Sequence, residues 1–154
     1  RFLTCALKLI MEYKMRIVTN INKLHQKSVT VAVKDISRAF SQLLTRTIHQ
    51  RKGAVGFAGN QVGLKESVFC ALIDSKWRLF ANAEIIRKSW SKTTDVEGCL
   101  SLPNEEYQVK RYNKITIRYQ NAQGETLKES FQGYDARVIQ HEIDHLNGIL
   151  ISDK

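Results

Sequence analysis

The hydrophobic pattern of this chain changes its period twice, and this change constrains the fold more than any other feature. Apolar side chains recur at helical spacing over residues 35–50 and again over residues 135–147. Between them, four short runs rich in β-branched and aromatic residues are predicted as strands: 67–73, 77–82, 114–119 and 125–131. This order predicts an α+β fold, with short antiparallel strands or mixed sheets around a C-terminal helix and an amphipathic helix near the N-terminus.

The length and composition fit one folded domain. The chain has 154 residues, of which 43% are hydrophobic, enough for a single core. Its longest apolar runs are too short to cross a bilayer. An odd number of cysteines, Cys5, Cys70 and Cys99, argues against a disulfide framework and for a reducing compartment. Residues 1–14 are basic and nearly free of acidic residues, so we treat them as an N-terminal extension with no assigned role.

The net charge of +9 allows two interpretations. A polyanionic partner such as RNA would explain it, and so would a solvated basic surface. We favour the solvated surface because the basic residues are scattered. Arg51 with Lys52 and Lys110 with Arg111 form short clusters, and no stacked aromatic motif accompanies them.

The strongest local signal is the segment His141-Glu142-Ile143-Asp144-His145. Residues four positions apart share one face of a helix, so His141 and His145 can bind one metal ion together. Glu142 lies beside the first ligand and can act as a general base toward water. The same pentapeptide also fits a solvated, ion-paired helix face, so it does not define a metal site by itself.

A catalytic metal site needs a third protein ligand and an open position. No histidine follows His145, so the third ligand is expected upstream, and Cys99 is the best candidate. A thiolate with two imidazoles suits zinc or ferrous iron. The remaining histidines, His25 and His49, have no paired spacing; we expect His25 in a loop and His49 on a helix surface.

Three motifs together make the chain resemble the peptide deformylase family from about Met15 to Lys154. Residues 97–101 read Glu-Gly-Cys-Leu-Ser, and residues 140–145 read Gln-His-Glu-Ile-Asp-His, as in the family. Residues 54–61 match its glycine-rich motif with two departures. Ala54 replaces a glycine near the peptide-binding backbone, and Gly59 replaces an alanine, which would make the turn more flexible. The resemblance makes residues 15–154 the catalytic domain.

The resemblance implies metal-dependent hydrolysis of the N-formyl group from the N-terminal methionine of nascent proteins, with release of formate. Cys99, His141 and His145 would hold one divalent cation, ferrous iron in the cell, with zinc, nickel or cobalt able to replace it. Glu142 would be the general base. The resemblance gives the Gln61 side chain and the Leu100 backbone N–H the task of stabilising the oxyanion.

The resemblance also implies how an N-formylmethionyl peptide binds. Its backbone would lie extended beside the backbones of Val55, Gly56 and Gly98. This binding mode depends little on the side chains of the peptide. Val55, Tyr134 and Val138 would form the walls of the methionine pocket, although ordinary core packing explains these three residues too. Gln140 and Asp144 could orient the metal ligands, while Arg137 is interpreted as structural.

Two other functions remain open at this point. A metallopeptidase that cuts internal peptide bonds would use the same helix with a third ligand other than Cys99. A non-enzymatic relative would bind ribosomal RNA or nascent chains through its positive charge. For a deformylase we expect nascent peptides as partners, with transient ribosome association allowed and no DNA or membrane. Its compartment would be the cytoplasm of a bacterium or virus-infected bacterial host, or alternatively a mitochondrion or plastid.

Overall fold

A computed structural model describes residues 17–47 and 53–154 of the chain. Its helices are α1 (Ile21–Leu24), α2 (Ile36–Thr47) and α3 (Gly133–Leu146), with 3-10 turns at Val33–Asp35, Gly59–Val62 and Ile151–Asp153. Its strands are β1 (Gly56–Ala58), β2 (Val68–Ile73), β3 (Lys76–Lys88), β4 (Lys92–Cys99), β5 (Leu102–Tyr112), β6 (Lys114–Gln120) and β7 (Thr126–Gln132). The predicted extension 1–14, the end of the first predicted helix and the residues Cys5 and His49 lie outside the described ranges.

Five of the strands form one antiparallel sheet in the order β1-β2-β3-β6-β7. β2, β6 and β7 coincide with predicted strands to within one residue at each end, and β3 continues six residues beyond its predicted end at Asn82. Asp74 and Ser75, both with positive φ, make the tight turn between β2 and β3. Both sheets are purely antiparallel, and the parallel pairing that a mixed sheet requires occurs among the described residues as an isolated bridge, Val29 with Glu66.

The two longer helices cover opposite faces of this sheet. Phe69, Ala71 and Ile73 of β2 pack in one apolar cluster with the inner face of α3. Val68 and Cys70 point to the other face and pack with α2. Since side chains alternate across a strand, β2 is buried on both faces, which explains its nearly continuous apolar sequence. The sheet therefore gives α3 a rigid support.

The remaining strands, β4 and β5, form a two-stranded ribbon that the hydrophobic pattern did not predict. Glu97 is the one side chain of β4 that is fully buried, and most of β5 is exposed. One side of the ribbon packs onto α1 and onto the chain after α3 through an apolar cluster of Leu102, Val109, Leu24, Leu150 and Ile151. The ribbon brings Cys99 toward α3.

The C-terminal end of α3 is held by residues from the beginning of the described chain. Gly148, in the left-handed conformation at φ +71°, ends the helix, and a side chain there would collide with the carbonyl of His25. His25 lies in the turn that caps α1, which confirms the predicted loop position, and its Nδ1 lies 3.0 Å from the Gly148 carbonyl oxygen. The Ser28 N–H donates to the Leu146 carbonyl at 2.8 Å. These contacts fix the helix that carries both histidines of the motif.

Candidate functional site

Cys99, the last residue of β4, lies next to the two histidines of α3. The Cys99 Sγ lies 3.2 Å from the His145 Nε2, which in turn lies 3.1 Å from the His141 Nε2. All three atoms lie within 4.8 Å of one another. The sulfur from the middle of the chain and both imidazoles therefore face one point, as the sequence predicted.

The geometry of these three atoms fits a bound metal ion. Ligands at zinc-like distances from a tetrahedral ion lie roughly 3.3–3.6 Å apart, close to the separations observed here. A thiol and two imidazoles are donors suited to zinc or ferrous iron. Burial lowers the pKa of His145 well below its ordinary value, so this imidazole is neutral, as a metal ligand must be.

Glu97 fixes the orientation of the first histidine. Its carboxylate lies 3.0 Å from the His141 Nδ1 and accepts hydrogen bonds from Arg111 at 2.7 Å and Arg137 at 2.6 Å. Burial opposes ionisation of Glu97, but the hydrogen bonds from Arg111 and His141 outweigh it and lower its pKa to about 2. An ionised partner on Nδ1 leaves Nε2 of His141 to face the metal position.

The structure corrects one surface prediction and refines others. Arg111 is 3% exposed and paired with Glu97 and Asp144, so its assignment to a solvated basic cluster was wrong. Asp144 therefore reaches His141 through Arg111 and Glu97 rather than directly. Arg137 also donates to the carbonyls of Val109 and Thr93, which ties α3 to both ribbon strands.

Gln140 lies on α3 one residue before the first histidine and joins the helix to the end of the ribbon. Its side-chain amide accepts from the Tyr112 N–H and donates to the Tyr112 carbonyl. These two hydrogen bonds resemble those between paired strands, and they set the distance between β5 and the helix. Gln140 thus supports the site through the backbone of the ribbon.

Glu142 lies beside the metal-binding face in an enclosed position. Burial raises the pKa of Glu142 to about 7, against the lowering effect of positive charge at His141 and Arg111. One carboxylate oxygen, Oε2, is buried and has no hydrogen-bond partner among the described residues. A side chain at Gly56 would overlap the carboxylate, so this glycine makes the space for it. A carboxyl with this pKa can both accept and release a proton near neutral pH.

Gln61 is held with its amide nitrogen toward the thiol. Its Oε1 accepts from the Ala58 N–H at 2.9 Å, while its Nε2 donates to Cys99 Sγ at 3.4 Å and Ser101 Oγ at 3.3 Å. These bonds fix which end of the amide faces the site. The donor predicted for oxyanion stabilisation is therefore next to the metal-binding atoms.

The two departures from the glycine-rich motif lie near this residue. A side chain at Gly59 would lie 3.0 Å from the Glu66 carbonyl and 3.2 Å from that of Val68, so Gly59 serves close packing rather than flexibility. Ala54 is half-buried against the apolar cluster under α2 and lines the edge of the pocket described next.

A pocket of about 780 Å³ opens above these groups. It is lined by nearly all residues predicted to bind the metal, the substrate or the oxyanion: Val55, Gly56, Gln61, Gly98, Cys99, Leu100, Tyr134, Val138, His141 and Glu142. His145 lies beneath the pocket and is 2% exposed. Tyr134 is 62% exposed, so it is not a core residue, whereas Val138 belongs both to the core and to the pocket wall.

The sequence comparison decides the family. A profile described as Polypeptide deformylase matches residues 11–154. The chain belongs to the peptide deformylase family. Members of this family are metal-dependent hydrolases that remove the formyl group from N-terminal methionine. A peptide deformylase of Pseudothermotoga lettingae is 44% identical over 110 residues, which are 71% of this chain and 63% of that protein.

Solved peptide deformylases share the fold. The crystal structure of the Thermotoga maritima enzyme superposes with a TM-score of 0.81 at 31% identity, covering 92% of this chain and 96% of the other. A class I type b enzyme from Acinetobacter baumannii, solved with Met-Ala-Ser bound, gives a TM-score of 0.78 at 28% identity. That alignment covers 86% of this chain and 91% of the other.

The sequence interpretation missed the role of Glu97 and its arginines. Glu97 was noted only as part of a motif, and Arg111 only as half of a basic dipeptide. In the structure they form a buried ionic network with Arg137 and Asp144. The paired residues of this network lie 14 to 40 positions apart in the chain, so no local sequence pattern predicts it.

Proposed function

We propose that this deformylase family member hydrolyses the N-formyl group of N-formylmethionyl peptides through Cys99, His141, His145 and Glu142. The observation that carries the proposal is the convergence of one thiol and two imidazoles beside a buried carboxyl at the floor of an open pocket. In the described part of the chain, no helix has the length and apolar character needed to cross a membrane.

A divalent cation held by Cys99, His141 and His145 would supply Lewis-acid activation of a water molecule near neutral pH. Glu142 accepts the proton of the attacking water, which its raised pKa allows. The same carboxyl then donates this proton to the departing amine, so that formate and a free N-terminal methionine are released. Glu97 is also buried in the pocket lining, but its carboxylate is held by Arg111, Arg137 and His141. Glu142 differs because its Oε2 has no hydrogen-bond partner among the described residues.

Gln61 donates a hydrogen bond to the formyl oxygen as negative charge develops on it. Its amide is already oriented by the Ala58 N–H, so little reorganisation is needed during the reaction. The Leu100 backbone N–H acts as a second donor from the turn after Cys99. Preorganised donors of this kind typically contribute about 100-fold or more to the rate.

The peptide binds between β1 and the ribbon. The backbones of Val55, Gly56 and Gly98 line this part of the pocket and hydrogen-bond to an extended chain. Val55, Val138 and Tyr134 contact the methionine side chain. The bound Met-Ala-Ser in the Acinetobacter baumannii relative supports an occupant of this length and chemistry.

The metal in the cell is ferrous iron in this proposal, with zinc, nickel or cobalt able to replace it. A thiolate iron site is sensitive to oxygen and peroxide because its sulfur is oxidised. Activity and metal content after anaerobic purification test the assignment. Equal activity with zinc and iron, with no loss in air, would contradict it. The enzyme acts in a bacterial cytoplasm, its own or a viral host's, where formylated nascent chains occur; a mitochondrion or plastid is the alternative.

The decisive test measures formate release from formyl-Met-Ala-Ser by the metal-loaded protein. The substitution Glu142→Gln is expected to lower kcat by about 100-fold or more and to leave the amount of bound metal unchanged. Glu106→Gln is the matched control, since Glu106 lines the same pocket but is exposed. It should remain close to the parent protein. Absence of formate release by the parent with metal bound would overturn the proposal.

The internal metallopeptidase is separated by one further measurement. It predicts cleavage of an unformylated peptide and metal binding that survives Cys99→Ala. The deformylase hypothesis predicts that this peptide is not cleaved and that Cys99→Ala loses its bound metal. Cys70→Ala is the control for the cysteine change because Cys70 is buried away from the pocket lining.

A further inference from the structure

The tip of the turn between β3 and β4 presents a basic and aromatic surface that the deformylase reaction does not use. Trp90 at this tip is fully exposed, although tryptophan is usually at least partly buried. A depression of about 350 Å³ beside it is lined by Lys88, Ser89, Trp90, Lys92 and Tyr112. We call Lys88, Trp90, Lys92 and Tyr112, with the neighbouring Lys110 and Lys114, the Trp90 patch.

The backbone at this tip is rigid. The Ser89 N–H donates to the Lys114 carbonyl at 2.9 Å, and the Asn113 N–H donates to the Ser91 carbonyl at 3.0 Å. The Ser89 hydroxyl donates to the Ser91 carbonyl and accepts from the Lys114 N–H. The indole is therefore held out into solvent on a fixed turn, and a partner would not have to order the backbone when it binds.

Positive charge is concentrated around the aromatic rings. The Lys88 and Lys92 ammonium groups lie 5.1 and 4.4 Å from the centre of the Tyr112 ring. Lys110, two residues before Tyr112, shares its face of β5. None of the four patch lysines forms an ion pair within residues 17–47 and 53–154. No acidic residue occurs from Ile85 to Thr94.

We propose that the Trp90 patch binds single-stranded RNA, with bases stacking on Trp90 and phosphates contacting the surrounding lysines. Unpaired lysines beside an exposed aromatic ring are the combination that single-stranded nucleic acids require. The sequence interpretation favoured a solvated basic surface because the basic residues are scattered and no stacked aromatic motif accompanies the short clusters. The structure instead joins two chain segments into one patch that has both features.

The patch is separate from the catalytic pocket. Lys92 begins β4 and Cys99 ends it, so the two lie about 23 Å apart along the strand. RNA on the patch would therefore leave the pocket open to a peptide. The proposal adds a binding surface to the enzyme and stands independently of its deformylase activity.

The test uses the full-length, metal-loaded protein and a fluorescein-labelled single-stranded RNA of about 12 nucleotides, within the usual site size. Fluorescence anisotropy at several salt concentrations gives the affinity and its salt slope. Trp90→Ala is expected to weaken binding by about fivefold or more, while Trp90→Phe retains most of it. Lys88→Ala with Lys92→Ala should reduce the salt slope by about 1.4.

The matched control is Lys34→Ala with Lys65→Ala, which removes the same charge from two exposed residues elsewhere. The RNA affinity of this variant should stay close to that of the parent protein. Adding Trp90→Ala to it should weaken binding as much as Trp90→Ala does in the parent protein. Formate release should be unchanged in all patch variants, which shows that they are folded. Equal RNA affinity in Trp90→Ala and the parent protein would overturn the proposal. So would equal losses in the two lysine pairs, or Trp90-dependent binding to phosphatidylserine vesicles in place of RNA.

Discussion

The five-stranded sheet and the two-stranded ribbon contribute to the same site but are stabilised differently. The sheet is held between two helices by apolar clusters, with Phe80 and Ile117 fully buried at its centre. The ribbon has a small apolar cluster and is attached to α3 mainly through Glu97, Arg111 and Arg137. Apolar packing is tolerant of shape, whereas hydrogen-bonded ions fix direction. The sheet is therefore held by apolar packing, and the ribbon network fixes the orientation of His141.

The largest expected effect follows removal of the carboxylate that joins the ribbon to α3. Glu97→Ala leaves Arg137 buried without its partner and should lower the free energy of unfolding by about 3–5 kcal/mol. His141 also loses the acceptor on its Nδ1, so metal affinity should fall by about 10–100-fold. Urea unfolding and metal titration measure the two effects.

The control for this change is an ion pair on the five-stranded sheet. Glu84 and Arg118 pair across β3 and β6 with about half of each side chain exposed. Glu84→Ala should cost less than about 1 kcal/mol and leave metal affinity unchanged. If both variants lose the same stability, the ribbon network has no special role.

Acid should weaken the ribbon before it affects the apolar sheet. The pKa of Glu97 is about 2 in the folded protein and ordinarily 4.5. The unfolded chain therefore takes up the proton first, and the stability that Glu97 contributes is present above pH 4.5 and lost as the pH falls toward 2. In metal-free protein, Glu97→Gln should be less stable at neutral pH and lose less stability over this range. Parallel stability curves for the two proteins would contradict the assignment.

The smallest expected effect lies in the sheet. Ile117→Val removes one buried methyl group and should cost about 0.5–1.5 kcal/mol of stability. Because Ile117 belongs to the apolar cluster and not to the ionic network, metal affinity and kcat should stay at the parent values. A fall in metal affinity comparable to that of Glu97→Ala would show that the sheet and the ribbon are not separable.

The same difference explains which elements the sequence predicted. Strands β2 and β6 bury continuous or alternating apolar residues, so their period is visible in the sequence. β7 buries Phe131 alone, and the turn residues before it made it recognisable as a strand. β4 has five exposed residues in succession before Glu97, so its sequence carries no such period. Strand pairing there depends on β5 and on ion pairs with α3, which a local pattern does not contain.

The candidate site shows the same limit. His141 and His145 are four residues apart on one helix, so their shared face follows from spacing alone. Cys99 was found because a catalytic metal requires one more soft or borderline ligand, and the family motif supported it. Arg111 was misread because a basic residue is usually exposed. Only the fold brings Glu97 and Asp144 to either side of its guanidinium.

The contacts that hold the C-terminal end of α3 also bear on the order in which the molecule folds. The contact between His25 and Gly148 closes a loop of 123 residues, and contacts of such long range form slowly. The imidazoles of α3 gain their fixed support only after this closure. We therefore expect these imidazoles to bind a metal ion late in folding, after almost all of the described chain has been synthesised.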